Sequence, residues 1–232
     1  MVLAGRFMDI ASFYIGLSLL SSYVPKAGHA ILREESRRIL MQLNGKAFVE
    51  SDILTGENGR PYFPGGAQDF NISHSANISA VSYVKGENLS TGCDIQLVKP
   101  RANTLKIADT YFSPAEKKYI LSNTKDTGST KKFFYIWALK ECYIKLRGLS
   151  VFDITQTPSF ISESNFENFY FSQDTPSSFP LSFFLYELAG PDEQYILAAA
   201  IEGKIHRPEI KWFSQSSLQV RSITEISSVH CS

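Results

Sequence analysis

Three short apolar segments, residues 70–72, 78–83 and 92–97, follow one another along the chain with only turns between them. Strands joined by turns pair antiparallel, because a parallel pair needs a crossover of a dozen residues or more. This stretch therefore lacks the regular strand–helix alternation of a doubly wound sheet. Helical patterns flank it. In residues 26–44, Ile31, Leu32, Ile39, Leu40 and Leu43 recur near a 3.6-residue period, and Gly45 can close the helix. Residues 131–147 form the longest helical pattern and stop at Gly148. Ser113-Pro114-Ala115-Glu116 is a helix start: Ser113 caps, Pro114 fits the first helical position, and Glu116 completes a capping box. That helix should run to about residue 121. Residues 122–130 are polar, contain Gly128 and read as a mobile loop. Strand-like segments return at 159–161, 169–171, 181–188 and 195–201.

The class is α+β. A Pro-containing connector ending near residue 103 suggests two parts: an N-terminal half, 1–98, and a C-terminal half, 99–210. The Ser-rich tail, 211–232, is expected to be partly disordered. At 232 residues the chain suits one large domain or two small ones. Its net charge of zero gives no support to nucleic-acid binding, so any anion site must be local. The apolar run over residues 7–20, interrupted by Asp9, is too short to span a membrane and reads as folded core. Cys93, Cys142 and Cys231 are odd in number and far apart, which suggests neither disulfides nor a zinc knuckle. A reducing, cytoplasmic compartment fits best.

Three clusters can carry chemistry. The first is Phe70-Asn71-Ile72-Ser73-His74-Ser75, where hydroxyls and an imidazole offer donors to phosphate oxygens. Alone, it reads more readily as a turn whose side chains satisfy backbone groups. The second is Gly92-Cys93-Asp94-Ile95-Gln96. On a strand, Asp94 and Gln96 share a face, and a carboxylate beside an amide oxygen suits Mg²⁺. A lone strand Asp paired with a nearby cation explains it equally. The third runs from Trp137 to Lys145, where Trp137, Glu141 and Lys145 fall on one helix face. An exposed Glu141–Lys145 pair, worth a few tenths of a kcal/mol, is the ordinary reading. Against it, a carboxylate in a stripe with Phe134 and Trp137 is costly unless a cation satisfies it.

In this order and spacing the clusters resemble the 4′-phosphopantetheinyl transferases, specifically the double-length type. Gly59-Arg60-Pro61 is similar to the family's Gly-Lys-Pro turn, and residues 70–75 reproduce its Phe-Asn-Ile-Ser-His-Ser run. Gly92 to Gln96, Phe112-Ser113-x-x-Glu116 and Trp137-x-x-Lys140-Glu141-x-x-x-Lys145 complete the likeness. The resemblance implies a pseudo-twofold pair of similar α/β halves with the active site between them. It implies Mg²⁺ (or Mn²⁺) on Asp94, Gln96 and Glu141, and coenzyme A as co-substrate. It implies an apo acyl or peptidyl carrier protein as acceptor, with no nucleic-acid or membrane partner and a monomeric state. Lys145 would neutralise the α-phosphate or protonate the leaving group, and Glu141 or a metal-held water would be the base. His74 with Ser73 would hold the 3′-phosphate of coenzyme A, with Arg60 near the same end and Arg33 or Arg37 as further candidates. Lys117, Lys118, Lys131 and Lys132 could complement an acidic carrier, with an ordinary solvated surface as the alternative. Gln96 stands where the family usually has Glu, which removes one negative charge. Glu116 is explained by its capping box, and the role of Lys140 is open. A degenerate coenzyme A-binding module and a Mg²⁺-dependent nucleotide pyrophosphohydrolase are the competing readings.

Overall fold

The computed structural model describes residues 12–20, 28–45, 52–56, 58–100, 102–122, 128–161, 169, 180–190, 192–203, 207–214 and 218–227. It is a mixed α+β structure. The strands are β1 (Ser12–Leu19), β2 (Leu54–Thr55), β3 (Pro61–Tyr62), β4 (Gln68–Ser75), β5 (Ile78–Lys85), β6 (Ser90–Leu97), β7 (Leu181–Ala189), β8 (Gln194–Glu202), β9 (Glu209–Trp212) and β10 (Gln219–Ser227). The helices are α1 (Gly28–Asn44), α2 (Thr104–Tyr111), α3 (Pro114–Leu121) and α4 (Gly128–Arg147), and a short 3₁₀ helix covers Val151–Gln156.

Two four-stranded sheets form, ordered β4-β5-β1-β9 and β10-β7-β8-β6, with β2 and β3 making a small hairpin. The sheets pack face to face. Phe13, Ile15 and Leu17 of β1 meet Phe184 and Tyr186 of β7 and Leu197 and Ala199 of β8 in one buried cluster. Each outer face carries a helix. Leu32, Ser36, Ile39 and Leu40 make the buried stripe of α1, and Ile39 and Leu40 cluster with Phe70, Val81 and Tyr83. Ile31, expected on that stripe, is exposed instead. The long helix α4 covers the second sheet, with Phe134, Leu139 and Leu146 among Phe183, Leu185 and Ala198. Its buried surface wraps well past one face because α3 and residues around Phe160 pack on its other side.

Sheet membership does not follow sequence order. β6 precedes the expected boundary at residue 98, yet among the described residues its only ladder partner is β8. β9 comes late in the chain but pairs parallel with β1. The segment from residue 211, expected as a tail, contains the end of β9 and all of β10, which pairs antiparallel with β7. Residues 215–217 and 228–232 of that segment lie outside the described residues. Of the expected loop at 122–130, residues 123–127 also lie outside them, while Gly128 already begins α4. Of the expected strand at 169–171, Phe169 alone is described, in an isolated bridge with Ile161. Cys93 and Cys142 are buried free thiols, and Cys231 lies outside the described residues. Among the described residues no helix is long and apolar enough to cross a membrane.

Candidate active site

The expected capping box at α3 is present: Glu116 N–H donates to Ser113 Oγ at 3.2 Å, and Ser113 N–H to Glu116 Oε2 at 2.8 Å. It does not exhaust Glu116. The other carboxylate oxygen accepts from Phe160 N–H at 3.0 Å, and Lys140 Nζ lies 3.1 Å from Oε2. Lys140 also donates to Thr157 Oγ1 at 2.9 Å and to the Pro158 carbonyl at 3.3 Å. The two motif residues thus form a buried pair that ties α3, α4 and the segment 157–160 together. Burial depresses the Lys140 ammonium below its ordinary value, with Glu116 working against the shift. Phe112 stacks on Phe133 at 5.3 Å and Phe133 on Trp137 at 5.8 Å, which fixes the same helices from a second side.

Next on α4 stands Glu141, half-buried, and one turn later Lys145. β6 presents Gly92, Asp94 and Gln96 to this helix. Gly92 sits so close that an added Cβ would lie 2.6 Å from the Cys142 carbonyl oxygen and 2.9 Å from Leu146 N. Only a residue without a side chain lets strand and helix backbones meet there. The contact delivers Asp94, 1% exposed, to Lys145: Nζ lies 2.6 Å from Oδ1. Gln96 shares the face as expected, its Nε2 donating to Asp94 Oδ2 at 2.8 Å. For Lys145, burial works to lower the pKa, but Asp94, Cys93 and Glu141 outweigh it and leave the ammonium raised. The lysine is therefore a permanent cation at neutral pH.

Ser73 belongs to this cluster. Its hydroxyl donates to Asp94 Oδ1 at 2.9 Å and accepts from Lys145 Nζ at 2.9 Å. His74, adjacent on β4, points to the opposite face, because side chains alternate along a strand. Ser73 is buried, whereas His74 is exposed and lines a separate groove. Ser73 and His74, expected together at one phosphate, thus lie on opposite faces of β4. The groove, of about 590 Å³, falls within the range of ~300–1,000 Å³ common for small-molecule sites. Arg33, Arg37, Thr55, Pro61 and Phe70 line it with His74. The His29 ring contacts His74 edge-on at 5.8 Å. Desolvation holds the His74 imidazole below its ordinary pKa, and the nearby charges of Lys145, His29 and Arg33 add to the shift.

Arg60, expected near the same end as His74, is placed on the neighbouring β2–β3 hairpin side. It lines a second cleft with Asn58, Lys145 and Gly148, not the His74 groove. Its guanidinium is committed to Asp69 Oδ2 at 2.6 Å and the Thr91 carbonyl at 3.0 Å, and its Nε is buried without a hydrogen-bond partner. Gly59, Pro61 and Ile72 line both cavities, so the two run together along the β2–β3 hairpin. Of the expected carrier-facing lysines, Lys131 pairs with Glu187 at 2.6 Å, and Lys132 bonds the Ser122 carbonyl at 2.6 Å.

Among the described residues no three His, Cys, Asp or Glu side chains gather as a metal site. The donor set at hand is two carboxylates and one amide, all hard oxygens suited to Mg²⁺. Asp94 already holds Lys145 Nζ on Oδ1 at 2.6 Å, and its Oδ2 accepts from Gln96 Nε2 at 2.8 Å. The three side chains fit a divalent ion by the chemistry of their oxygens. Overall, the arrangement sets a cationic groove for an anionic ligand beside a buried carboxylate–ammonium centre.

Residues 90–200 match the 4′-phosphopantetheinyl transferase superfamily. The 4′-phosphopantetheinyl transferase AcpT of Escherichia coli (strain K12) is 31% identical over 138 residues, which is 56% of this chain and 69% of the relative. AcpT of Salmonella typhimurium is 28% identical over 138 residues, 56% of this chain and 70% of the relative. A 4′-phosphopantetheinyl transferase of Bacillus subtilis is 36% identical over 95 residues, 40% and 39% of the two chains.

Proposed function

The chain belongs to the 4′-phosphopantetheinyl transferase superfamily, and on that premise we propose that it moves the phosphopantetheine arm of coenzyme A onto a serine of an apo acyl or peptidyl carrier protein. The carrier Ser Oγ forms a bond to the β-phosphorus. The bridging P–O bond to the α-phosphate breaks, and adenosine 3′,5′-bisphosphate leaves. The serine proton passes to Glu141, which stands half-buried on α4 one turn before Lys145. Lys145, kept charged by its acidic neighbours, stabilises the negative charge that grows on the leaving phosphate. His74, Arg33 and Arg37 hold the nucleotide end in the groove they line. Asp94, Gln96 and Glu141 would hold Mg²⁺, which would supply neutralising positive charge for the pyrophosphate.

The observation that carries this reading is the juxtaposition of Asp94 on β6 with Lys145 on α4, 2.6 Å apart, beside the cationic groove. A pseudo-twofold relation between halves is supported by the two four-stranded sheets, each backed by one helix and meeting along β4 and β6. The test is to incubate the protein with coenzyme A, Mg²⁺ and a panel of apo carriers, and to weigh the carriers by mass spectrometry. A gain of one phosphopantetheine on a carrier is expected. No gain on any carrier sinks the transferase reading, and release of free phosphopantetheine without a carrier favours a pyrophosphohydrolase.

A further inference from the structure

β4 and β6 are neighbours that share no backbone ladder. They are joined by side chains instead. Asp69 Oδ2 accepts from Thr91 N–H at 2.8 Å, Asn71 Oδ1 from Cys93 N–H at 3.4 Å, Ser73 Oγ from Ile95 N–H at 3.2 Å, and Ser75 Oγ from Leu97 N–H at 2.9 Å. Each rung spans 22 residues, so the two strands run in the same direction. Every second side chain of β4 serves one N–H of β6, which explains the polar side chains at 69, 71, 73 and 75 on the face opposite Phe70, Ile72 and His74. At the first rung Arg60 closes the Thr91 carbonyl as well.

Within this ladder one rung differs. A hydroxyl has one hydrogen to donate and two lone pairs to accept with. Ser73 uses all three, donating to Asp94 and accepting from Lys145 and from Ile95 N–H. No donor is left for a phosphate oxygen. We propose that Ser73 is a positioning residue: it locks Asp94 and Lys145 to the β4–β6 ladder and does not bind coenzyme A. The proposal rests on the transferase reading for its kinetic consequences, but its structural consequence stands without it. Ser73 transmits the register of one sheet to the charged centre on the other. In its absence the Lys145 ammonium keeps Asp94 as partner but loses the group that fixes where the pair lies.

The test compares Ser73→Ala, Ser73→Thr and Ser75→Ala. Ser75 is a rung with no contact to Asp94 or Lys145 and serves as the structural control. The Ser73→Ala variant should lose about tenfold or more in kcat, the loss expected for two charge-assisted hydrogen bonds. Its KM for coenzyme A should stay within about twofold, since no ground-state contact is removed. Ser73→Thr restores the hydroxyl and should recover most of kcat. Ser75→Ala should lower thermal stability and leave kcat near wild type. An activity-independent readout is labelling of Lys145 by an amine-reactive reagent, located by peptide mass spectrometry. Labelling should rise in Ser73→Ala and not in Ser75→Ala. A rise in KM with kcat retained would show that Ser73 binds the nucleotide and overturn the proposal. So would unchanged Lys145 labelling in a folded Ser73→Ala protein. If the wild type modifies no carrier while Ser73→Ala still exposes Lys145, the transferase reading fails and the positioning role stands.

Discussion

Lys140 Nζ lies 3.1 Å from Glu116 Oε2, and neither side chain is more than 2% exposed. Lys140 stands next to Glu141 in sequence, and its pairing with Glu116 fixes the rotation of α4 about its axis. Removing the lysine leaves a buried carboxylate without its cation, which costs about 3–5 kcal/mol. Lys140→Met should therefore lower the melting temperature by roughly 10 °C. The double variant Lys140→Met/Glu116→Gln should recover part of that loss. Thermal unfolding of the three proteins checks it, and a Lys140→Met protein as stable as wild type would refute the pairing.

Gly92 is the point where β6 touches α4. Gly92→Ala forces the backbones apart and should cost about 1–3 kcal/mol by overpacking. The same displacement moves Asp94 away from Lys145 and Glu141, so kcat should fall by up to about a hundredfold. Denaturant unfolding and steady-state kinetics measure the two effects separately. An alanine tolerated in both would contradict the close approach.

Asp94→Asn and Glu141→Gln should abolish carrier modification while the fold persists, as monitored by circular dichroism. Lys145→Ala should lower turnover more than affinity for coenzyme A, because the charge it answers grows only on the leaving group. The opposite split, with KM raised and kcat kept, would make Lys145 a binding residue instead.

Gln96 donates its amide to Asp94 Oδ2. Gln96→Glu replaces that bond with two adjacent carboxylates, which repel each other until a cation arrives. The metal-free protein should melt lower than wild type, and added Mg²⁺ should raise its melting temperature by more. Carrier modification at limiting Mg²⁺ should hold or increase. A variant whose stability ignores Mg²⁺ would remove Gln96 from the metal site.

His74 has a depressed pKa, so the free protein carries it mostly neutral at neutral pH. A bound phosphate favours the imidazolium, so binding takes up a proton. Affinity for adenosine 3′,5′-bisphosphate should rise as pH falls from about 8 to about 6, and His74→Gln should flatten that slope. The same shift acts on the ligand-free fold with a fixed sign. The unfolded chain takes the proton first, so stability is full above the ordinary histidine range and declines as pH falls through it. Calorimetry in two buffers of different ionisation enthalpy counts the proton.

Much of this was legible in the sequence where local chemistry decides structure. The capping box at Ser113, the shared face of Asp94 and Gln96, and the end of α4 at Gly148 all depend on neighbours within a few residues. What escaped depends on distant partners. Glu116 looked satisfied by its cap, because Lys140 and Phe160 reach it only in the folded chain. Ser73 and His74 form one cluster in sequence, but the two-residue period of β4 sends them to opposite faces. α2 is only eight residues long and has no side-chain cap, so its short apolar face of Ile107, Ala108 and Tyr111 stands without a start signal. β1 escaped because it is covered on both faces and lacks alternation. β10 escaped because its polar, Ser-rich surroundings read as tail. Arg60 carries the family-like charge, but only the ladder shows that Asp69 already holds it.

The ladder between β4 and β6 also bears on how the chain is made. On a ribosome β6 emerges about a hundred residues before β8, the strand with which it shares main-chain bonds. Until then one edge of β6 lacks its main-chain partner. The other edge is served from the start by Asp69, Asn71, Ser73 and Ser75, all translated before it. The nascent chain thus shelters an otherwise exposed strand with side chains it has already synthesised, and holds Asp94 in reserve for a helix still to come.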